Sequence, residues 1–175
     1  SPPPAPSRLG ARCGLVAFDR AVRTVPPARA GGAQLGRVAE AMYALEPLLA
    51  ESDYRGAFTE ALARFKRRSL IVLFTDLVEQ AVGESLLPAL PLLVPHHPVI
   101  IAPLRDPDVV GWAREDPDGP DEAYRSVAAT RALADRDRTI ARLRGLGAVV
   151  VDAPASELAP KLADTYLDLK ATGAL

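Results

Sequence analysis

The stretch Arg67-Arg68-Ser69-Leu70-Ile71-Val72-Leu73-Phe74-Thr75-Asp76-Leu77 decides the fold class of this chain. Residues 70–74 form an uninterrupted apolar run that leads towards a predicted helix. This pattern predicts a strand of a parallel sheet that is buried on both faces. Ligands bind beyond the carboxyl ends of the strands in open α/β sheets, so Asp76 is predicted to lie at the edge where a site would form.

Asp76 has two interpretations at that edge. In the simpler one, its carboxylate forms a turn or caps the helix that follows. In the functional one, Asp76 is a carboxylate ligand of a metal site, which requires further oxygen ligands from other parts of the chain. The functional interpretation therefore depends on whether residues at the other strand ends and helix starts supply these ligands.

The composition fits one globular domain and argues against several functional classes. The chain has 175 residues and is 49% apolar, enough for a sizeable core. Its net charge of -1 argues against a general nucleic-acid or acidic-membrane binder. The single cysteine, Cys13, excludes an internal disulfide and suits a reducing compartment, so we expect a cytoplasmic location. No apolar run reaches the length of about 18 residues that indicates a transmembrane helix.

Apolar strand patterns alternate with helical patterns along most of the chain. The weakly alternating segment 21–25 is predicted to be an edge strand that forms a hairpin with the first strand. The alternation from residue 31 onward predicts an α/β sheet with helices on both faces. The predicted strands are 13–18, 21–25, 70–74, 98–102 and 148–151, and the predicted helices are 35–45, one from 51, 83–93, a short one with Trp112, 121–144 and one from 156.

The domain organisation is predicted to be simple. Residues 1–10 are rich in proline and are predicted to form a flexible leader. Residues 11–175 are predicted to form a single domain, because no internal repeat and no second domain is visible in the sequence.

Polar residues at two further positions are candidates for a site. Ser52 and Asp53 lie at a predicted helix start, where Ser52 either accepts a backbone hydrogen bond as a cap or serves as a hydroxyl metal ligand beside Asp76. Arg105 and Asp106 follow the strand 98–102 at its carboxyl end. Capping is the simpler interpretation of Asp106, but this edge is where function would be located.

Other polar groups are assigned structural roles. His96 and His97 are the only histidines, and we predict them to be residues at the amino edge of the sheet that lead into a strand. The charged run 135–138 is predicted to be a solvated helix face. The chain has no Gly-x-Ser-x-Gly elbow, no Walker A motif and no Gly-x-Gly-x-x-Gly motif after a strand.

A set of short segments, spread from about Leu9 to the end of the chain, resembles the DUF58 family. Members of this family are von Willebrand factor A-like (vWA) proteins of bacteria. The resemblance implies a vWA/Rossmann-like α/β fold with a doubly wound, mostly parallel sheet, one antiparallel edge strand and helices on both faces. The segments, in the order in which they occur, are Gly14-Leu15-Val16-Ala17-Phe18-Asp19, Tyr43-Ala44-Leu45-Glu46-Pro47, Glu51-Ser52-Asp53-Tyr54, Val72-Leu73-Phe74-Thr75-Asp76-Leu77, Leu104-Arg105-Asp106-Pro107 and Thr165-Tyr166-Leu167-Asp168-Leu169-Lys170.

The resemblance also implies a partial metal-ion-dependent adhesion site. In vWA domains this site combines an Asp-x-Ser-x-Ser motif after the first strand, a Thr at a helix start and a later Asp. Ser52 falls where the Thr belongs and Asp76 where the last Asp belongs. The Asp-x-Ser-x-Ser motif is absent, so we expect the binding of Mg²⁺ or Mn²⁺ to be weak or absent.

The first predicted strand of this chain matches the second strand of the family fold. We therefore expect the chain to be the C-terminal portion of a longer vWA-like protein, truncated before its first strand. Full-length members are often membrane-anchored upstream of this region. Without a strand between them, we expect 13–18 to pair directly with 70–74, and we expect a homodimer through exposed apolar surface.

The function implied by the resemblance is that of a non-catalytic vWA-like protein-interaction domain. Its expected partner is a MoxR-type AAA+ ATPase, and its expected interaction surface includes Asp53, Arg105 and Asp106 beside the metal-site residues Ser52 and Asp76. The alternative is a Rossmann-like hydrolase or nucleotide-binding enzyme that uses Asp76 and Asp106. The absence of a phosphate-binding loop counts against that alternative.

Overall fold

The structure is a computed structural model that describes residues 12–24, 29–44, 52–77 and 82–175. The contacts within the chain divide it into two units, residues 1–61 and 62–175. The predicted leader, residues 1–10, lies outside the described residues. Each unit is described by itself.

The first unit contains two short antiparallel strand pairs and two helices. Strand β1 pairs with β4, and β2 pairs with β3, which confirms the predicted hairpin for the second half of 13–18. The hairpin turn is held by the Asp19 carboxylate, which accepts hydrogen bonds from the Ala21 backbone N–H at 3.1 Å and from Arg23. The elements are β1 Arg12–Cys13, β2 Ala17–Phe18, β3 Val22–Thr24, β4 Arg29–Ala30, α1 Gly32–Tyr43 and α2 Tyr54–Arg64, the last of which extends past residue 61.

Aromatic side chains pack the first unit. The rings of Phe18 and Tyr54 meet edge to face with their centroids 5.4 Å apart. The rings of Tyr54 and Phe58 also meet edge to face, with their centroids 6.2 Å apart. Tyr54 and Phe58 are buried on one face of α2 together with Ala57 and Ala61. The spacing of these residues matches the apolar face of a helix, which is why α2 was predictable from the sequence.

The second unit contains a three-stranded parallel sheet in the order β5-β6-β7, with helices between and after its strands. The mixed α/β class predicted from the sequence is therefore confirmed. Within the described residues, no helix is both long and apolar enough to cross a membrane. The elements are β5 Ile71–Thr75, a π-helical turn Val82–Leu86 that continues into α3 Leu87–Leu93, β6 Val99–Pro103, α4 Pro107–Trp112, α5 Pro120–Gly145, β7 Val149–Val150 and α6 Ala155–Ala171.

Strand β6 is the centre of the second unit. All of its residues are buried, as the continuous apolar run 98–102 predicts for a strand covered on both faces. On one face, Ile100 and Ala102 join a core cluster with residues from the segment after β7 and from α6. The other members of this cluster are Val151, Ala153 and Leu158, with Leu70, Leu162 and Leu169 packed against it.

The prediction that 70–74 forms a strand buried on both faces is wrong for one face of β5. Leu73 and Thr75 are buried, but Val72 is 38% and Phe74 is 55% exposed. Adjacent residues in the parallel register lie on the same face, so Val72 and Phe74 share the face of Ile100 and Ala102. Among the described residues, the cluster on that face is formed by β6, the segment that follows β7 and α6.

The strand pairing also departs from the prediction. The predicted antiparallel edge strand of the parallel sheet is instead part of separate two-stranded sheets. The predicted direct pairing of 13–18 with 70–74 is not found among the described strands, whose sheets are β1-β4, β2-β3 and β5-β6-β7. The short turn between β2 and β3 brings these two neighbouring segments together at little entropic cost.

The amino edge of the parallel sheet is tied together by His97. Its Nδ1 atom accepts a hydrogen bond from the Ser69 backbone N–H at 3.1 Å, which links the segments that lead into β5 and β6. Burial, followed by the charges of His96 and Arg68, lowers the pKa of His97, so the imidazole is neutral near pH 7. The predicted role of His97 as a residue that leads into a strand is confirmed.

Candidate functional site

The segments that follow β5, β6 and β7 meet at the carboxyl edge of the parallel sheet. The Leu104 backbone N–H donates to the Thr75 carbonyl oxygen at 2.7 Å, and the Val151 N–H donates to the Ile101 carbonyl oxygen at 2.9 Å. These bonds extend the ladder past the strands and fix the positions of the residues that come next. The candidate site consists of Asp76 after β5, Leu104, Arg105 and Asp106 after β6, Asp152 after β7, and Arg136 from α5.

Asp152 is the centre of an ion-pair network at this edge. Its Oδ2 atom accepts a hydrogen bond from Arg105 Nη2 at 2.7 Å, and its Oδ1 atom accepts one from Arg136 Nη2 at 3.1 Å. The side chains of Asp152 and Arg136 are only 15% and 11% exposed, whereas that of Arg105 is 34% exposed. Hydrogen bonds with charge on both partners are stronger than neutral ones, particularly where water is largely excluded.

Arg136 extends the network to the backbone at the end of β6. Its Nη1 atom donates to the Leu104 carbonyl oxygen at 3.1 Å, and its Nη2 atom donates to the Pro103 carbonyl oxygen at 3.2 Å. One guanidinium therefore connects α5 to the last residue of β6, to the loop after it and to Asp152. This arrangement stabilises the loop that carries Leu104 and Arg105.

The pKa of Asp152 reflects two opposing influences. Desolvation at its largely buried position raises the pKa of this carboxyl group, but the hydrogen bonds from Arg105 and Arg136 and their positive charges outweigh that effect. The pKa of Asp152 therefore lies below its ordinary value, and the group is ionised at neutral pH.

Asp76 lies exposed directly after β5, as predicted. The next residue, Leu77, is buried and has a φ of 53°, a left-handed conformation that a leucine rarely adopts. Its backbone N–H donates to Thr75 Oγ1 at 3.2 Å. Residues 78–81 lie outside the described residues, so the capping role of Asp76 stays a prediction.

Arg105 and Asp106 follow β6, as predicted, and both side chains make hydrogen bonds within the chain. Arg105 was predicted to belong to an interaction surface, and in the structure its guanidinium is held by Asp152. Asp106 caps α4, because its Oδ1 atom accepts a hydrogen bond from the Asp108 backbone N–H at 2.9 Å. The simpler interpretation of Asp106 is therefore confirmed, and its side chain remains at an exposed position.

Ser52 and Asp53 belong to the first unit. The side chain that caps α2 is that of Asp53, whose Oδ1 atom accepts a hydrogen bond from the Gly56 backbone N–H at 2.8 Å. Because α2 begins at Tyr54, Asp53 stands at the capping position and Ser52 directly before it. The capping role of Ser52 stays a prediction.

Two of the described carboxylates at this edge already accept hydrogen bonds within the chain. Both carboxylate oxygens of Asp152 accept hydrogen bonds from arginines, and one oxygen of Asp106 is used in its cap. Across residues 12–24, 29–44, 52–77 and 82–175, no three His, Cys, Asp or Glu side chains are grouped so that they could hold a metal ion.

The sequence interpretation missed Asp152 and Arg136. Asp152 directly follows the apolar run 148–151, just as Asp76 follows 70–74, so the same rule could have identified it. Arg136 lies in the charged run that was predicted to be solvated, which is wrong for this residue. Its helical spacing to Thr139, Ile140 and Leu143, all buried, was the available signal.

Comparisons with known proteins give one match. The family model described as Protein of unknown function DUF58 matches residues 5–111. Arg105 and Asp106 lie within the matched range, whereas Arg136 and Asp152 lie beyond it. No curated protein matches the chain. No solved structure matches it either.

Proposed function

The chain belongs to the DUF58 family, whose model matches well over half of its length, and from that premise we propose that it acts as a non-catalytic protein-interaction module. The family description assigns no function, so the proposal rests on the geometry of the second unit. The partner-binding surface is the carboxyl edge of the parallel sheet, formed by Asp76, Leu104, Arg105 and Asp106.

The observation that carries this proposal is the Asp152 network. Arg136 and Asp152 hold Leu104 and Arg105 in place through the carbonyl and carboxylate bonds described above. A loop that is fixed before binding loses little conformational entropy on association, which favours affinity. The network also uses the charge of Asp152 for structure, which supports an interaction role over a catalytic one.

The exposed groups around the network have the composition of a binding surface. Leu104 is 48% exposed. Asp106, in the same segment after β6, and Asp76, after the neighbouring strand β5, also lie at exposed positions. Arg105 is partly exposed, and arginine is enriched in protein interfaces. An apolar side chain with charged neighbours in fixed positions provides both contact area and specificity.

The partner in this proposal is a MoxR-type AAA+ ATPase, and the fold is the doubly wound vWA-like arrangement of the family. The ordered segments that resemble the family support both, as does the parallel sheet with its candidate site at the carboxyl edge. The proposed location is cytoplasmic. The exposed carboxylate of Asp76 would take part in the recognition of a basic surface on the partner.

A substitution at Leu104 tests the proposed surface. Leu104→Glu is expected to weaken binding to a MoxR-type AAA+ ATPase by at least about tenfold, because it places a charge where an apolar contact is lost. The measurement is biolayer interferometry with the immobilised chain and the ATPase in its ATP-bound and ADP-bound states.

Leu167→Glu is the matched control for this test. Leu167 is 58% exposed on α6. The helix starts at Ala155, near the carboxyl edge of the sheet, and Leu167 lies about 18 Å further along it. This control is expected to bind like the wild type. Equal affinity of the Leu104→Glu variant would refute the proposed surface, and no binding by the wild-type chain would refute the proposed partner.

A metal titration tests the partial adhesion site. We expect Mg²⁺ and Mn²⁺ to bind with a dissociation constant weaker than about 1 mM, because the first ligand motif is absent. Isothermal titration calorimetry on the wild type and on Asp76→Ala makes the measurement. Micromolar binding that disappears in Asp76→Ala would contradict this expectation.

A further inference from the structure

The hydrogen bond between Ser69 and His97 exists only while the His97 ring is neutral. His97 is 4% exposed, and its Nδ1 atom accepts the bond from the Ser69 backbone N–H at 3.1 Å. The peptide nitrogen of Ser69 can only donate, so the bond requires an Nδ1 atom without a proton. The single ring proton of the neutral His97 therefore lies on Nε2.

The segment before β5 is attached to two other elements of the second unit. Ser69 connects it to His97, two residues before β6, and Arg68 Nη2 donates to the Ala174 carbonyl oxygen at 3.0 Å, beyond the end of α6. The two donors are neighbours in the chain. A change at His97 therefore acts on the attachment of β5 both to the start of β6 and to the end of α6.

The charged groups that face His97 are both positive. They are His96, its exposed neighbour, and Arg68 from the segment before β5. Helix α3, whose Leu93 carbonyl oxygen accepts the His97 backbone N–H at 2.9 Å, carries no ionisable side chain, and neither does β6. Among the described residues no carboxylate acts on the charge of His97. A proton on this ring would therefore add an uncompensated charge at a buried position.

We propose that His97 is a pH-sensitive switch of the second unit, which holds the segment before β5 when its ring is neutral and releases it when the ring is protonated. The added proton lies on Nδ1, since Nε2 already carries one, so two donors then face each other at Ser69. The new charge also repels Arg68, and the charged ring has to reach water. Each of these effects separates His97 from the segment before β5.

The direction of the pH dependence follows from the environment of His97. Burial, followed by the charges of His96 and Arg68, lowers the pKa of His97 below its ordinary value of 6.5. As the pH falls, the unfolded chain therefore takes up this proton before the folded chain does. The stabilisation by the neutral ring is fully present above about pH 6.5 and is lost as the pH falls from there through the folded pKa.

The pH dependence of urea unfolding in the wild type and in His97→Asn tests this proposal. The asparagine oxygen can accept the Ser69 bond in place of Nδ1, but it does not titrate. From pH 7.5 to 5.5, the unfolding constant of the wild type is expected to rise at least about threefold more than that of His97→Asn. The matched control His96→Asn removes the exposed histidine and is expected to behave like the wild type. Equal pH dependence of the wild type and His97→Asn would overturn the proposal.

Amide hydrogen exchange in the wild-type chain tests the release of the segment and does not depend on the folding of any variant. The protection factor of the Ser69 amide is expected to fall at least about threefold more than that of Val151 between pH 7.5 and 5.5. The Val151 amide is the internal control, because it donates to the Ile101 carbonyl oxygen at the opposite edge of the sheet. A loss of protection at Ser69 no greater than that at Val151 would overturn the proposal.

Discussion

Asp152→Asn is expected to destabilise the chain by about 2–3 kcal/mol, the cost of losing a charged acceptor shared by the largely desolvated Arg136 and the partly exposed Arg105. The carboxylate holds Arg105 at 2.7 Å and Arg136 at 3.1 Å, and the amide cannot neutralise either guanidinium. The NH₂ group of the asparagine side chain, which replaces one carboxylate oxygen, would also place a donor towards an arginine. Urea denaturation followed by circular dichroism measures the change in the free energy of unfolding.

Glu157→Gln is the control for this prediction. Glu157 also pairs with a cation, Lys161 at 2.8 Å, but both side chains are at least half exposed. Exposed ion pairs contribute little, so this control is expected to leave the free energy of unfolding nearly unchanged. Similar losses for the two variants would show that the Asp152 network contributes no more than a surface pair.

The stabilisation by Asp152 is expected to depend on pH in a defined direction. The pKa of Asp152 is lower in the folded chain than its ordinary value of 3.8. Its contribution is therefore fully present above about pH 4 and is lost as the pH falls through the folded pKa, where the carboxylate becomes protonated. The difference in unfolding free energy between the wild type and Asp152→Asn is expected to be constant from pH 7 to 5 and to shrink below pH 4.

Gly147→Ala is expected to destabilise the chain by about 1–3 kcal/mol, because Gly147 has a φ of +91°. It ends α5 in a Schellman motif, in which the Gly147 N–H donates to the Arg144 carbonyl at 3.0 Å and the Ala148 N–H donates to that of Leu143 at 3.3 Å. A Cβ atom at this position would also lie 3.0 Å from Val94 Cγ1.

Thermal unfolding measures this effect against Gly145→Ala as the matched control. Gly145 is the last residue of α5, and a Cβ atom there would meet nothing within 4 Å. Alanine favours the helix by up to about 1 kcal/mol over glycine, so the control is expected to be neutral or slightly stabilising. The melting temperature of Gly147→Ala is expected to fall by roughly 2–9 °C, and an unchanged value would refute the assigned strain.

The features that the sequence predicted well depend on neighbours along the chain. The apolar runs and helical spacings placed β5, β6, α2 and α5 close to their observed bounds, because hydrophobic periodicity is a local property. The cap by Asp106 was also predictable, since a cap involves only the next few residues. At the start of α2, the residue seen to accept a capping bond is Asp53, the neighbour of Ser52, and one residue is the usual precision of a helix start.

The sequence by itself determined the α/β class, the strand and helix patterns of the second unit and the position of Asp76 after β5. Only the tertiary structure decided that Arg105 and Arg136 converge on Asp152, at separations of 47 and 16 residues along the chain. It also decided that Val72 and Phe74 are exposed, because the burial of a strand face depends on which helix covers it. Contacts between distant residues follow from the packing of whole elements, which periodicity and local propensity do not encode.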